Sequence, residues 1–260
     1  MPDLKNQWAN DTSICTGFYP YTNAEFLALN VEKFFYAAPY KGKYDFVGQD
    51  IKILVVRREK IFEFTVCIPI LSKYLSSRND YYSLQEIVYT QLIEYLYKLG
   101  LDKSNCRLFI NTPDNNTFRQ HNYISAIGSC IDTGEEGIVG RGNSACGFIS
   151  SFRPFSMEAS YGKNPTYHTG RIFGILTQTI AKHLYLQLNR KFNVIIVTQN
   201  GGSINPSYKL FVQTQGELNN TQVENACTSS ISREKAIQDL IDGFLVPCLW
   251  KNNIDINQSF

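Results

Sequence analysis

The sequence predicts an α+β fold of two layers, and three observations carry that expectation. Apolar residues recur at helical spacing in several long segments. Between those segments lie short runs of strictly alternating apolar residues, arranged in pairs around polar or glycine turns. No linker or low-complexity segment interrupts them, so residues 1–260 read as a single compact unit. Strands joined by short turns pair antiparallel, or belong to mixed sheets, with helices covering one face. The order helix, strand, strand recurs without an evident sequence repeat.

Taken in order, Thr22 to Tyr36 reads as a helix. Thr22 and Glu25 make a capping box, and Phe26, Leu27, Val31, Phe34 and Phe35 supply a buried face. Ile51, Ile53 and Val55 alternate, as do Phe62, Phe64, Val66 and Ile68, so the turn Arg57 to Lys60 closes a hairpin. A second helix is expected from Ser83 to Leu99, with Ser83 and Glu86 as its capping box and Gly100 as its stop. Strands follow near Cys106 to Asn111 and Tyr123 to Gly128, separated by a surface excursion at Pro113 to Gln120. A third helix spans about Ile172 to Arg190. Val194 to Val197 and Tyr208 to Val212 form another hairpin, with turn residues at Asn200, Gly201 and Gly202. A last helix runs from a cap at Ser232 to about Leu245 and stops at Pro247.

Composition narrows the function. With 43% hydrophobic residues, the chain can bury a large core. A net charge of +2 is too balanced for a nucleic-acid binder, which needs a basic stripe. No apolar run is long enough to span a membrane and no secretory signal stands at the N-terminus, so the expected address is the cytoplasm. The seven cysteines are odd in number and form no C-x-x-C pair, which reads as free buried thiols.

The stretch Gly134 to Arg171 is the one that packing does not explain. It is glycine-rich, opens on the carboxylates Glu135 and Glu136, and carries Arg141, Arg153, Lys163, His168 and Arg171. Flexible backbone, clustered cations and an acidic pair suit a polyphosphate with a bound metal ion. The stretch is neither a Walker A loop nor a dinucleotide fingerprint. Read only from its position, His168 is a hydrogen-bonded residue at a helix start, and Arg141 can simply pair with Glu135 or Glu136 on the surface.

GEEGIVGRGN, followed by RPFSMEASYGKNPTYHTGR, resembles a segment of archaeal-type S-adenosylmethionine synthetases. ANDTSICTGFYPYT, VGQDIKIL, LFINT and TQNGGSI are similar to further segments, so the resemblance runs from about Asn10 to the end of the chain. The family joins ATP to methionine: the sulfur attacks the ribose C5′ carbon and expels the triphosphate. The resemblance implies Mg²⁺ at Glu135 and Glu136, and nucleotide or phosphate contacts at Asp11, Gly137, Gly140, Arg141, Asn143, Lys163 and Arg171. It implies catalytic roles for Arg141, Lys163 and His168. Departures accompany it. The acidic pair is Glu-Glu where the family has Asp-Asp. Ser144 and Gly202 stand where cations are expected, and Cys146 stands where Asn is.

The family's Gly-His-Pro-Asp segment, which carries a catalytic His and a metal-binding Asp, has no counterpart in this chain. The chain therefore reads as about two-thirds of a synthetase. One expectation is a subunit of a split methionine adenosyltransferase, inactive alone, with the missing His and Asp supplied by a partner protein. Apolar surface left uncovered would be buried by that partner or by self-association. The alternative is a catalytically degenerate paralogue that binds nucleotide, or a full-length synthetase, and regulates it.

Overall fold

The computed structural model describes residues 8–36, 42–112, 122–129, 144–157, 160, 164, 167–202 and 209–230. The excursion at 113–120, the loop 130–143 and the helix expected over 232–245 lie outside the described residues. The elements in chain order are β1 (Ser13–Tyr19), α1 (Asn23–Tyr36), β2 (Lys52–Arg58), β3 (Ile61–Cys67), β4 (Ile70–Leu71), α2 (Arg78–Lys98), β5 (Cys106–Ile110), β6 (Ile124–Ser125), α3 (Thr169–Leu188), β7 (Phe192–Thr198), β8 (Lys209–Gln213) and α4 (Asn220–Ser230). They divide between two compact units. Unit 1 comprises Met1–Tyr21 and Ile138–Asn253, and unit 2 comprises Thr22–Gly137 and Ile254–Phe260.

In unit 2, α1 begins where its capping box puts it. The Thr22 N–H donates to Glu25 Oε2 at 2.8 Å, and the Glu25 N–H donates to Thr22 Oγ1 at 3.3 Å. β2 and β3 form the expected antiparallel hairpin around Glu59 and Lys60, with Glu59 at φ 54°. β5 then pairs parallel with β3, giving a mixed sheet in the order β2-β3-β5. Phe62, Phe64 and Val66 of β3 and Leu108 of β5 bury against Leu27, Val31 and Phe34 of α1 and against Val88, Leu92 and Leu96 of α2. Both helices therefore lie on one face of this sheet.

The start expected for α2 at Ser83 is corrected. The helix begins at Arg78 and its cap is Ser77, whose side chain accepts from Asp80 N while Asp80 returns a carboxylate to the cap backbone. Asp80 also accepts from the N–H groups of Ser76 and Ser77, both at 2.8 Å, and these bonds hold its carboxyl below the ordinary aspartate range. The first turn is polar, so the apolar stripe starts only after the helix has. At the far end, Leu99 is the C-cap and Gly100 takes φ 97°, as a helix stop requires.

A buried polar knot ties the strand ends to α2. Asn111 accepts from Ile68 N at 2.8 Å and donates to Ile68 O at 2.9 Å and to the Tyr81 hydroxyl at 2.8 Å. The strand expected over Tyr123 to Gly128 reduces to β6, which pairs parallel with β4. Beyond it, Gly128 and Gly48 touch backbone to backbone: a Cβ on Gly48 would lie 2.5 Å from Gly128 Cα.

Unit 1 holds an antiparallel sheet in the order β1-β7-β8. The hairpin of β7 and β8 matches expectation. β1 does not appear in the sequence-based assignment, although it lies beside the sheet's central strand and pairs with β7 along its whole length, from Ser13 opposite Thr198 to Tyr19 opposite Phe192. α3 starts three residues before the expected Ile172 and ends at Asn189, which adopts φ 51°. It packs on β1 so closely that a Cβ at Gly17 would lie 2.3 Å from the Thr177 carbonyl carbon. Gln178 of α3 accepts from Phe18 N at 2.6 Å. α4 packs beside α3 and is a second element that the sequence pattern does not reveal. With its helices segregated from small sheets, the fold is α+β.

Candidate functional site

Three pieces of unit 1 converge where α3 begins. The segment before β1 is tied to the turn after β7: Ala9 N donates to Gly202 O at 2.7 Å, Gly201 N to Ala9 O at 2.9 Å, and Asn200 N to Thr12 Oγ1 at 2.9 Å. That anchoring delivers Asn10 to the helix, where its side-chain oxygen accepts from Thr169 N at 2.9 Å. His168 caps the helix through its own ring, with Nδ1 accepting from Gly170 N at 3.2 Å. Accepting there requires an unprotonated Nδ1, so in the neutral ring the proton is on Nε2. Two of the first N–H groups of α3 are thus met by side chains.

The sequence-predicted residues Asp11, His168 and Arg171 therefore share one neighbourhood. Asp11 is exposed, follows Asn10 directly and accepts from Thr12 N at 2.7 Å. Arg171 lies in the first turn of α3, with its N–H on His168 O at 3.1 Å. Two hydroxyls at this end of the unit, Ser13 Oγ and Thr169 Oγ1, are buried and have no hydrogen-bond partner among the described residues. Their residues are 2% and 0% exposed, so each is an uncompensated polar group at the edge of a candidate site. A helix N-terminus carries partial positive charge, and an arginine in its first turn adds a full charge, an arrangement suited to an anion.

Asn10, Ser13 and Thr169 escaped the reading from sequence because none is charged. Their signal was the run of small polar residues from Asn10 to Ser13, and only its pairing with the start of α3 gives that run a meaning. Ser160 is also part of the frame. Its hydroxyl donates to Gly170 O at 2.8 Å, and a Cβ on Gly174 would lie 2.6 Å from it. Glu135, Glu136, Gly137, Gly140, Arg141, Asn143 and Lys163 lie outside the described residues.

Other positions of the polar stretch have structural occupations. Arg153 donates to Pro20 O at 2.9 Å and stacks 4.6 Å above the Phe18 ring. Ser144 and Cys146 lie 3.0 Å apart and both bond Phe148 O, which ties the turn to itself. Gly202 sits against Ala9, and a Cβ there would lie 2.9 Å from Gln199 O. Among the described residues, no group of three or more His, Cys, Asp or Glu side chains could hold a metal ion. Cys15, Cys67, Cys106 and Cys146 are free thiols. No helix among the described residues is long and apolar enough to cross a membrane.

Comparison with known proteins gives a consistent picture. Residues 2–244 match the profile of the family described as S-adenosylmethionine synthetase (AdoMet synthetase). An uncharacterized protein of Streptococcus pyogenes serotype M3 is 34% identical over 237 residues, covering 90% of this chain and 57% of the relative. The S-adenosylmethionine synthase of Methanobrevibacter smithii is 35% identical over 202 residues, covering 75% of this chain and 49% of the synthase. This chain thus spans about half the length of the curated relatives it matches. In fold it is similar to the solved structure of an S-adenosylmethionine synthetase from Campylobacter jejuni, with a TM-score of 0.57 at 16% identity, covering 90% of this chain and 61% of that one.

Proposed function

The chain belongs to the S-adenosylmethionine synthetase family, and from that premise we propose that it is one subunit of a split methionine adenosyltransferase. It forms S-adenosylmethionine from ATP and methionine in the cytoplasm, with residues 1–260 acting as one incomplete synthetase-like unit. A partner chain supplies the His and Asp of the absent Gly-His-Pro-Asp segment. The observation that carries this reading is His168 and Arg171 at the start of α3, with Asp11 next to the Asn10 that bonds that start, beside two buried hydroxyls that have no partner among the described residues.

In this reading the triphosphate of ATP lies toward the positive start of α3 and Arg171, where fixed charge meets the negative charge that grows on the leaving group. Arg141 and Lys163 bring further cations to it, and Gly137, Gly140 and Asn143 let the backbone approach the nucleotide. His168 holds the helix start in place and presents an Nε2–H to the site. Asp11 faces the nucleoside or methionine. Mg²⁺, held at Glu135 and Glu136, neutralises phosphate charge when bound.

Calorimetry with a non-hydrolysable ATP analogue and Mg²⁺ tests the site. Arg171→Ala should weaken binding by about tenfold or more, as loss of a charge-assisted contact does. Unchanged affinity in Arg171→Ala and His168→Ala, both folded by circular dichroism, would refute the site. The purified chain alone should make little or no S-adenosylmethionine, whereas the complex recovered with its native partner should turn over. Robust turnover by the chain alone eliminates the split-subunit reading.

A second reading is a regulatory paralogue that binds nucleotide, or a full-length synthetase, without catalysis. It is favoured by the bonds that Ser144 and Gly202 make, because two positions where the family places cations are here engaged with the local backbone. Nucleotide binding without turnover in any complex would select it.

A further inference from the structure

We propose that Asn200 is a site of spontaneous covalent modification: its side-chain amide closes onto the Gly201 nitrogen as a succinimide, and the docked segment before β1 holds this reaction back. Asn200 and Gly201 form the only Asn-Gly pair in the 260 residues. Ring closure needs the nitrogen of the following residue to reach the asparagine Cγ, and glycine has no side chain to obstruct it. The proposal does not depend on any synthetase activity.

Both residues lie in the turn after β7, which Gly202 N closes on Gln199 O at 2.8 Å. Both are exposed, so water reaches them. The Asn200 side chain has no hydrogen-bond partner among the described residues and can rotate toward Gly201. Gly201 adopts φ 74°, and no atom from elsewhere lies within 4 Å of the place a Cβ would take.

The reaction balances without a cofactor. Gly201 N gives up its proton and attacks Asn200 Cγ. A C–N bond forms, the Cγ–Nδ2 bond breaks, and the nitrogen leaves as ammonia with the proton that Gly201 N lost. Water then opens the ring at either carbonyl. One opening leaves aspartate in a normal chain. The other leaves isoaspartate, whose main chain runs through the former side chain and is longer by one carbon.

The clamp on this turn sets the pace. Gly201 N–H donates to Ala9 O at 2.9 Å, so the attacking nitrogen is engaged while the segment is docked. Asn200 N on Thr12 Oγ1 at 2.9 Å and Ala9 N on Gly202 O at 2.7 Å close the clamp on either side. Reaction therefore proceeds from the fraction of molecules in which these bonds have opened. The product acts back on the clamp. Isoaspartate inserts a carbon between Asn200 N, held by Thr12, and Gly201 N, held by Ala9, and hydrogen bonds of this length do not survive a shift of one bond. Asn10, carried by the same segment, then loses its place on Thr169 N. Ageing at one turn is thereby transmitted to the start of α3.

The test ages the full chain in mildly alkaline buffer and maps its peptides by mass spectrometry. Position 200 should gain about 1 Da before any other asparagine does, and isoaspartyl methyltransferase should label the same peptide. Thr12→Ala, an exposed change, removes the acceptor of Asn200 N and should speed the gain about fivefold, the factor that one lost hydrogen bond carries. Hydrogen exchange should show Thr169 N losing protection in the aged parent chain and keeping it in aged Asn200→Gln, because glutamine cyclises far more slowly. The proposal is overturned if another asparagine converts first, if Thr12→Ala leaves the rate unchanged, or if the aged parent protects Thr169 N as well as aged Asn200→Gln does.

Discussion

The sheet of unit 2 meets its helices through side chains: Phe64, Val66, Leu92 and Leu96 are fully buried between them. The sheet of unit 1 meets α3 at Gly17, where strand backbone lies on helix backbone. The first kind of contact can repack around a change in volume, whereas the second has nothing that can move aside. The difference follows the candidate site. The strand pinned by Gly17 also carries Ser13, and Asn10, just before it, reaches the start of α3. Unit 1 thus fixes the position of its strand by direct backbone contact, while unit 2 gains stability from a conventional apolar core.

The largest expected effect breaks the backbone contact. Gly17→Ala should cost about 3 kcal/mol or more, measured by urea unfolding. Hydrogen exchange should show the loss of protection in β1 and β7 while β3 keeps its own. Equal loss in both units would mean that the contrast between them is false. Next comes the polar knot of unit 2. Asn111→Leu leaves the N–H and C=O of Ile68 without their partners and should cost about 2 kcal/mol, with β3 and β5 losing protection first.

The smallest effect is a pH dependence. Burial raises the Glu32 carboxyl above its ordinary value of 4.5. The folded state therefore disfavours the ionised form: stability is fully present below the unfolded value and is lost as pH rises through the folded one. Thermal melts of Glu32→Gln should exceed those of the parent chain at neutral pH, and the gap should close toward pH 4.5. A gap independent of pH excludes the carboxyl as its source.

What the sequence reveals follows the same contrast. α1, α3 and the two hairpins are legible because each buries one face and leaves a periodic pattern. β1 leaves none. Its outer face is bonded by the segment before α3, with Thr16 N on the Ser156 hydroxyl and Met157 N on Ile14 O, so six of its seven residues are buried and alternation disappears. α2 takes its capping box at Ser77 rather than at the expected Ser83, because the Asp80 carboxylate accepts from the N–H groups of both Ser76 and Ser77. At the site, Asp11, His168 and Arg171 stood out by charge and motif. Asn10, Ser13 and Thr169 act through position, which no residue-by-residue reading supplies. Arg153 counted among the cations of the polar stretch, and it binds a carbonyl and an aromatic face.

The pairing of β1 with β7 has a consequence for biosynthesis. Ser13 and Thr198 are 185 residues apart in the chain. At the usual pace of a ribosome, the first strand emerges on the order of ten seconds or more before its neighbour exists. All of the described elements of unit 2 are made in that interval and can fold while the earlier strand remains an unmatched template. The nascent chain is therefore open to aggregation at β1, and conditions that slow translation lengthen that exposure.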